Sequence, residues 1–295
     1  MEIAGTPLTL LVNPSAAGGR SLKLLPQVEA ALDARRAVFR VEKTRSLDHG
    51  AELALRAAEV GEVPVVVSGD GLLGVVGGAM AGSDVPLGLI PAGTGNDLGR
   101  GIGLDPQDAV AAARVIAAGY ARSIDLARVQ DTYVGAVLAT GFDALVNRRA
   151  NQMPWPRGSM RYAMATMAEL RVFSPLHYRL TLDGQVRELD AMLVAIGNTR
   201  SYGGGMLICP KADPYDGLLD VTIIHPVGRL KLLRLFPEMY SGKFVRDPCV
   251  EQLRVREVTV EGPGLVGFGD GEMIAAAPLQ VCSVPRAVPV YVPHV

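Results

Sequence analysis

The sequence is poor in the residues that build disulfide frameworks and zinc sites. Its 295 residues include three cysteines, which stand far apart without a Cys-x-x-Cys pair, and four histidines without a His-Glu-x-x-His motif. Cysteines in this number and spacing are typical of buried thiols in a reducing compartment. The composition therefore excludes a disulfide-stapled scaffold and gives no sign of a zinc centre.

Long apolar runs and an excess of basic charge are also missing. No stretch of about 18 uncharged apolar residues occurs, so we predict no transmembrane helix. The first residues lack the basic start and cleavage site of a signal peptide. A net charge of −1 argues against a nucleic-acid-binding protein, which would need a basic face. We expect a cytoplasmic protein, and the apolar content of 49% leaves a position at the inner face of the membrane open.

Two glycine-rich turns stand out, and each follows a short apolar run. The first is Gly69-Asp70-Gly71 after residues 65–68, and the second is Pro-Ala-Gly-Thr-Gly-Asn-Asp at 91–97 after residues 86–90. An apolar run that ends in a glycine turn is typical of a strand leading through a loop into a helix. Glycines let backbone N–H groups approach an anion, and a helix points the positive end of its dipole there. The two turns therefore predict one phosphate-binding rim.

The first 125 residues alternate between strand and helix patterns. This rhythm predicts a doubly wound α/β domain with a mostly parallel sheet, whose ligands lie at the carboxyl ends of the strands. The predicted N-caps of three of its helices are Ser21, Asp48 and Asp105. Residues 285–295 are expected to return to this domain.

Residues 126–284 show many strands and few helices. This pattern predicts a second domain of antiparallel, β-sandwich-like architecture. Residues 133–140 and 253–260 are each predicted as one strand, and residues 160–173 as a helix. A further helix at 228–243 is expected to face the core and turn a basic side to solvent.

The spacing of Gly69, Gly71 and Gly74 satisfies Gly-x-Gly-x-x-Gly after a strand, so a dinucleotide-dependent oxidoreductase has to be considered. Such enzymes place a carboxylate at the tip of the next strand, whereas here that strand ends at Ile90 with no acid. Asp70 inside the turn would repel a bare pyrophosphate, and it fits better where a metal ion stands between it and phosphates. The P-loop motif GxxxxGK[ST] is absent.

Six segments, in order along nearly the whole chain, resemble the motifs of the diacylglycerol kinase catalytic-domain family of lipid kinases, distant relatives of the NAD kinases. The N-terminal matches are Asn13-Pro14-Ser15 with Gly18-Gly19, Thr44, Ser68-Gly69-Asp70-Gly71 and the segment 91–97. The C-terminal matches are Gly203-Gly204-Gly205 with Asp213-Pro214-Tyr215-Asp216-Gly217-Leu218, and Asp270-Gly271-Glu272. The segment 91–97 is the most specific of them.

The resemblance implies an ATP-dependent lipid kinase that transfers the γ-phosphoryl group to the hydroxyl of a lipid such as diacylglycerol. It also implies that residues 1–125 form the nucleotide-binding domain and residues 126–284 the lipid-substrate domain. It implies that the nucleotide is bound by Asn13, Pro14, Ser15, Thr44, Ser68, Gly69, Gly71, Leu72, Gly93, Thr94, Gly95, Asn96 and Asp97. Asp70 would orient the Mg²⁺ on the phosphates, and either Asp270 or Glu272 would accept the hydroxyl proton. Asp213 and Asp216, with the Leu218 carbonyl, resemble a second, structural Mg²⁺ site.

Two residues depart from the family's Gly-Gly-Asp-Gly-Thr signature. Ser68 stands where the family has its first glycine, and Leu72 where it has threonine. The missing hydroxyl removes one phosphate donor, worth roughly 1 kcal/mol as an ordinary hydrogen bond. A catalytically impaired lipid- or nucleotide-binding relative therefore stays open, as does an NAD(P)-dependent oxidoreductase.

Each acidic motif also has a plain structural explanation. Asp70 and Asp270 lie beside glycines in turns, where carboxylates often accept backbone hydrogen bonds. Asp213 and Asp216 flank a proline, so an ordinary turn is nearly as well supported as a metal site.

Trp155 lies between two prolines, with arginines nearby. An amphipathic indole beside arginines suits a lipid interface, so peripheral membrane contact is a hypothesis; an ordinary surface loop explains the same pattern. No motif identifies the acceptor lipid, and a homodimer stays open.

Overall fold

The computed structural model of the protein describes residues 6–153, 155, 164–165, 168–169 and 174–294. In its N-terminal half, parallel strands form a sheet in the order β2-β1-β3-β4. The strands are β1 (Leu8–Val12), β2 (Phe39–Lys43), β3 (Val63–Ser68) and β4 (Gly88–Pro91). The helices are α1 (Arg20–Asp33), α2 (Leu47–Glu59), α3 (Asp70–Ala79), α4 (Asp97–Gly101) and α5 (Ala109–Ala118). The predicted α/β domain is confirmed.

The strand order of the N-terminal sheet reverses between β1 and β3. The chain runs from β1 outward to β2 and then returns to place β3 on the other side of β1. In open α/β sheets, ligands bind at such a reversal, outside the carboxyl ends of the strands. Every residue of β1 and β3 is buried, which explains the near-continuous apolar runs of strands covered on both faces.

All three predicted helix N-caps are wrong. The helices begin after Gly19, Ser46 and Asp108 instead. The Ser21 hydroxyl donates to the Asn13 carbonyl, so it is committed to the preceding loop. Asp108 Oδ1 accepts from the Ala111 N–H at 2.8 Å, which fixes the start of α5 after the predicted point.

The C-terminal half contains two six-stranded sheets, in the orders β12-β11-β10-β7-β14-β15 and β6-β5-β16-β13-β8-β9. The first sheet contains β7 (Val137–Gly141), β10 (Leu193–Gly197), β11 (Leu219–Ile224), β12 (Val250–Val255), β14 (Val266–Gly269) and β15 (Glu272–Ala276). The second contains β5 (Ala121–Val129), β6 (Thr132–Val134), β8 (Leu176–Leu182), β9 (Gln185–Ala191), β13 (Glu257–Glu261) and β16 (Leu279–Tyr291). Their ladders are antiparallel, as predicted, and the two sheets share one apolar core.

Two predicted strands are each divided by a break. Residues 133–140 form β6 and β7 with Gly135 and Ala136 between them, and the N–H groups of these two residues donate to Asp270. Residues 253–260 form the end of β12 and most of β13, which belong to different sheets. The first break matters for function because it frees backbone donors for a carboxylate.

The long strand β16 connects the two halves. It pairs with β5 along its length, and near its end Val290 forms a parallel bridge with Leu87, just before β4. Val288 and Val290 are buried in the same core as the N-terminal sheet. The last strand therefore holds the N-terminal sheet against the C-terminal one.

Two more helices cover the outside of the first C-terminal sheet, α6 (Phe142–Gln152) and α7 (Arg229–Met239). The rings of Phe142 and Phe236 meet edge to face with centroids 5.8 Å apart. Most of the predicted helix at 160–173 lies outside the described residues. Within the described part of the chain, no helix is long and apolar enough to cross a bilayer.

Candidate active site

The two glycine turns touch each other backbone to backbone. A Cβ atom on Gly69 would lie 2.9 Å from the Gly93 Cα, and a Cβ on Gly93 would overlap the Gly69 Cα. Side chains at these positions would force the turns apart, which explains why both are glycine. Because α3 begins at Asp70, its N-terminal N–H groups open onto the rim that the two turns form.

Asn96 holds the second turn in shape. Its backbone is left-handed at φ +55°, and its side chain is buried. Oδ1 accepts from the Gly93 N–H at 2.8 Å, and Nδ2 donates to the carbonyls of Gly93 at 3.1 Å and Pro106 at 3.0 Å. The side-chain amide of Asn96 is thus hydrogen-bonded to backbone groups of the protein. Asn96 therefore fixes the shape of the rim on which Gly95 and the exposed Thr94 lie.

Asp97 ties the second turn to the C-terminal half. Its buried carboxylate pairs with Arg100 at 2.6 Å and accepts from the Ser201 hydroxyl at 2.8 Å through Oδ1. Oδ2 accepts from the Gly204 N–H at 2.8 Å. The predicted glycine segment 203–205 therefore reaches the site through this hydrogen bond.

Asp70 lies beside Asp97 across Gly95. A Cβ atom on Gly95 would lie 2.8 Å from Asp70 Oδ2 and 3.0 Å from Asp97 Oδ2, so two carboxylates flank this glycine. Asp70 Oδ1 accepts from the Leu98 N–H at 3.1 Å. Burial raises the pKa of Asp70 to about 6, and the negative charge of Asp97 adds to the rise.

Asp270 comes from the C-terminal half and completes the group. It lies in a left-handed turn at φ +52°, and its two oxygens accept from the N–H groups of Gly135 at 2.8 Å and Ala136 at 3.1 Å. Burial raises the pKa of Asp270 to about 7, and the charges of Asp70 and Asp97 act in the same direction. We call Asp70, Asp97 and Asp270 the acidic cluster.

The glycines on one side of α3 let the C-terminal half approach the helix. A Cβ on Gly74 would lie 2.7 Å from Asp270 Oδ2, and one on Gly78 would lie 2.7 Å from the Tyr133 ring. A Cβ on Gly71 would be 3.8 Å from the exposed Glu272 side chain. The third glycine of Gly-x-Gly-x-x-Gly therefore makes room for a carboxylate, which removes the main support for a dinucleotide enzyme.

The first loop, after β1, reaches the second glycine turn through Arg20. Arg20 Nη1 donates to the Gly93 carbonyl at 3.2 Å. Asn13 Oδ1 accepts from the N–H of Ser15 at 3.1 Å and from its hydroxyl at 2.8 Å, and Pro14 is half-buried between them. No sequence motif pointed to Arg20 or Arg100, whose partners are the Gly93 carbonyl and the buried Asp97 carboxylate.

Both residues that depart from the family signature are buried. Leu72 is buried and packs against Gly50 of α2, where any added Cβ would overlap it, and Thr44 is buried beside the same glycine. Ser68 is buried at the end of β3. The Leu72 side chain thus fills core space and leaves the N-terminal amides of α3 uncovered.

The predicted structural magnesium site is arranged differently. Asp216 forms an ion pair with Arg254, whose Nε also lies 3.4 Å from Asp220 Oδ2. Asp213 Oδ1 accepts from the Tyr215 N–H at 3.2 Å, and Asp216 Oδ1 from the Leu218 N–H at 3.0 Å. We call Asp213, Asp216, Asp220 and Arg254 the Arg254 cluster.

A guanidinium therefore supplies the positive charge at the Arg254 cluster. Across the described residues, no three or more acidic, histidine or cysteine side chains are grouped so that they could hold a metal ion by themselves. The predicted site consists of two carboxylates and a carbonyl, of which Asp216 is engaged by Arg254, and it stays a prediction. At the acidic cluster, a Mg²⁺ ion that arrives with a nucleotide keeps phosphate and water ligands and needs only one or two carboxylates, which Asp70 and Asp97 fit.

Asp125 is a buried carboxylate that the sequence analysis missed. Its oxygens accept from the N–H groups of Gly217 at 2.6 Å and Arg286 at 2.7 Å, so it connects β5 to the turn of the Arg254 cluster and to β16. The sequence pattern that could have revealed this buried carboxylate is a single acidic residue within the apolar run 124–127.

Trp155 is 72% exposed, and most of the loop around it lies outside the described residues.

Comparisons with known proteins cover both halves. Residues 7–129 match the model of the diacylglycerol kinase catalytic domain, and residues 136–292 match the YegS C-terminal NAD kinase beta sandwich-like domain. A diacylglycerol kinase of Mycobacterium tuberculosis is 43% identical over 97% of this chain and 95% of its own length. A diacylglycerol kinase of Bacillus subtilis is 25% identical over 81% of each chain. A crystal structure of a diacylglycerol kinase from Bacillus anthracis aligns with a TM-score of 0.75 at 20% identity, covering 98% of this chain and 97% of that one.

Proposed function

Since the chain belongs to the diacylglycerol kinase family of lipid kinases, we propose that it transfers the γ-phosphoryl group of ATP to the hydroxyl of a lipid, with diacylglycerol as the first candidate. The observation that carries this proposal is the convergence of two touching glycine turns with the acidic cluster. The turns offer backbone donors for phosphates, and the cluster offers ionisable oxygens beside them. Phosphoryl transfer needs both, together with exact positioning.

The nucleotide would lie on the rim. The N-terminal amides of α3 and the amides of Gly93 to Gly95 would donate to phosphate oxygens, where the helix dipole also favours negative charge. Thr94, which is exposed on the rim, would add a hydroxyl donor. Asn13, Ser15 and the buried Thr44 would line the neighbouring wall of the crevice.

Asp70 and Asp97 would hold the Mg²⁺ ion that accompanies the triphosphate. The bound ion neutralises charge on the phosphates and fixes their direction. Burial and, after it, the charge of Asp97 raise the pKa of Asp70, and a cation between the two carboxylates would relieve their repulsion, which supports this assignment.

Asp270 would accept the proton of the lipid hydroxyl. The hydroxyl oxygen forms a bond to the γ-phosphorus while the bond from that phosphorus to the bridging oxygen breaks, and ADP leaves with the bond's electron pair. A base works best when its pKa lies near the working pH, and that of Asp270 is about 7. Glu272, which is exposed against Gly71, would help to position the reacting groups.

Labelled phosphate transfer tests the proposal. Protein, Mg²⁺ and ATP carrying a labelled γ-phosphate are incubated with a mixed lipid extract, and the lipid products are separated. We expect the label in one lipid class, and we expect a reaction at the cytoplasmic face of a membrane, where ATP is present. ATP binding without labelled lipid would instead support the impaired relative.

A further inference from the structure

Helix α7 is apolar on two opposite sides. Leu232, Leu235 and Met239 are buried against the first C-terminal sheet, as expected for a surface helix. On the outside, however, Leu230 is 86% exposed and Leu233 is 38% exposed. The side turned away from the core carries Arg229, Leu230, Leu233, Arg234, Pro237 and Tyr240, which we call the α7 outward face. The protein's own core does not account for these exposed leucines.

The segment that contains α7 carries an excess of positive charge. Residues 229–247 contain five basic and two acidic residues, whereas the whole chain has a net charge of −1. Lys231 is paired with Asp247 at 2.7 Å, and Arg234 reaches Glu238 only at 3.8 Å. Arg229 has no ion pair among the described residues. Leucines flanked by arginines complement a surface that is apolar beneath and negatively charged above.

The C-terminal end of α7 is connected to the acidic cluster by a short segment. The Met239 carbonyl accepts from the Leu207 N–H at 2.9 Å. Three residues before Leu207, the Gly204 N–H donates to Asp97 at 2.8 Å. In the same segment, Tyr202, which stands two residues before Gly204, forms an antiparallel bridge with Met206. Helix α7 is therefore linked to the acidic cluster through the hydrogen bonds of segment 204–207.

We propose that the α7 outward face docks the protein on the surface of a bilayer that contains anionic lipids. Leu230 and Leu233 enter the boundary between headgroups and acyl chains, and Arg229 and Arg234 contact the headgroup phosphates. The inference rests on the proposed function, because a bilayer is where a lipid substrate lies. Docking by this helix would place segment 204–207 and the acidic cluster beside the membrane surface.

Vesicle sedimentation tests the docking. Wild type is compared with Leu230→Ser/Leu233→Ser and with the matched control Leu22→Ser/Leu55→Ser, whose leucines are 38% and 43% exposed on α1 and α2. With phosphatidylglycerol–phosphatidylcholine vesicles, we expect the α7 variant to bind about tenfold more weakly than wild type and the control to be unchanged. Arg229→Gln/Arg234→Gln should lose the preference for these vesicles over pure phosphatidylcholine. Thermal unfolding of each variant verifies that it is folded.

Three results would overturn the proposal: no wild-type binding to the anionic vesicles, equal binding by the α7 variant, or equal loss in the control. Loss of a wild-type dimer in the α7 variant, seen by sedimentation velocity, would assign the face to a second copy instead. Turnover of a short-chain diacylglycerol below its micellar concentration reports the chemistry separately, and we expect the α7 variant to retain it. Vesicle binding with the expected pattern but without any turnover would support docking and reject the kinase reaction.

Discussion

Two groups of aspartates in this protein have opposite surroundings. In the acidic cluster, the hydrogen bonds to Asp70 and Asp270 come from backbone N–H groups, and the nearest charges that act on them are other carboxylates. In the Arg254 cluster, Asp216 and Asp220 both contact one guanidinium. Asp97 also pairs with Arg100, but Asp70 and Asp270 have no ion pair among the described residues, whereas Asp216 and Asp220 already share a guanidinium.

The comparison shows that acidic residues in a motif do not by themselves identify a metal site. Both groups contain three aspartates, and both include aspartates from segments that resemble motifs of the same family. The two groups differ in the residue that a distant part of the chain brings to the aspartate. Asp270 has the negative charge of Asp70 near it, whereas Asp216 forms an ion pair with Arg254. The predictions that follow exchange or remove these partners.

The largest effect is expected for Asp270→Asn. An amide cannot accept the hydroxyl proton, so kcat should fall by about 10³-fold in the labelled-phosphate assay. Asp213→Asn, the same substitution in the Arg254 cluster, is the control and should leave kcat nearly unchanged. Equal losses in the two variants would mean that the clusters do not differ in role.

Gly74→Ala should displace Asp270 without removing it. The added methyl would lie 2.7 Å from Asp270 Oδ2, and a misplaced base should lower kcat on the order of 10²-fold while the KM for ATP changes little. Gly77→Ala, on the same helix, would meet only Leu126 at 3.7 Å and should be nearly neutral. Full activity in folded Gly74→Ala would contradict the placement of Asp270.

Activity and stability should respond to pH in opposite directions. Because Asp270 accepts a proton only when ionised and its pKa is about 7, kcat/KM should fall about tenfold for each pH unit below that value. The folded protein binds protons at Asp70 and Asp270 more tightly than the unfolded chain, since both pKa values are raised. Stability without nucleotide should therefore fall as pH rises from about 4 towards 7. A thermal midpoint that rises over this range in wild type, relative to Asp70→Asn/Asp270→Asn, would contradict the raised pKa values.

The smallest effect is expected for Arg254→Met. Its loss leaves Asp216 and Asp220 without their shared cation, and the free energy of unfolding should fall by about 1 kcal/mol, because the guanidinium is half-exposed and screened. Added Mg²⁺ should raise the thermal midpoint of this variant more than that of wild type. Equal Mg²⁺ responses would show that the arginine does not substitute for a metal.

Local patterns predicted the N-terminal fold and the rim well. Each glycine turn follows a short apolar run that forms a buried strand, and this pattern occurs within a few consecutive residues. It could therefore be recognised from the sequence alone. Helix starts were harder, because Ser21 is diverted to the Asn13 carbonyl and Ser46 caps α2 before the predicted Asp48. Which polar side chain caps a helix depends on the other hydrogen-bond partners that the fold brings near it.

The features that the sequence did not reveal join residues far apart in the chain. Gly74 leaves space for Asp270, Arg20 reaches Gly93, and Asp125 binds the backbone at Gly217 and Arg286. No local spacing encodes such pairs, since each depends on how the two halves pack. The division of residues 133–140 has the same origin, because the break supplies the N–H groups that hold Asp270.

The most direct test of the account is calorimetric titration of Mg²⁺-ATP into wild type and Gly93→Ala, with an unfolding curve for each. A methyl group at Gly93 would overlap Gly69 and separate the two turns. We predict that wild type binds the nucleotide and that folded Gly93→Ala binds it at least about tenfold more weakly, because the rim no longer closes on the phosphates. Equal affinity in the two proteins would contradict the claim that the touching turns hold the triphosphate.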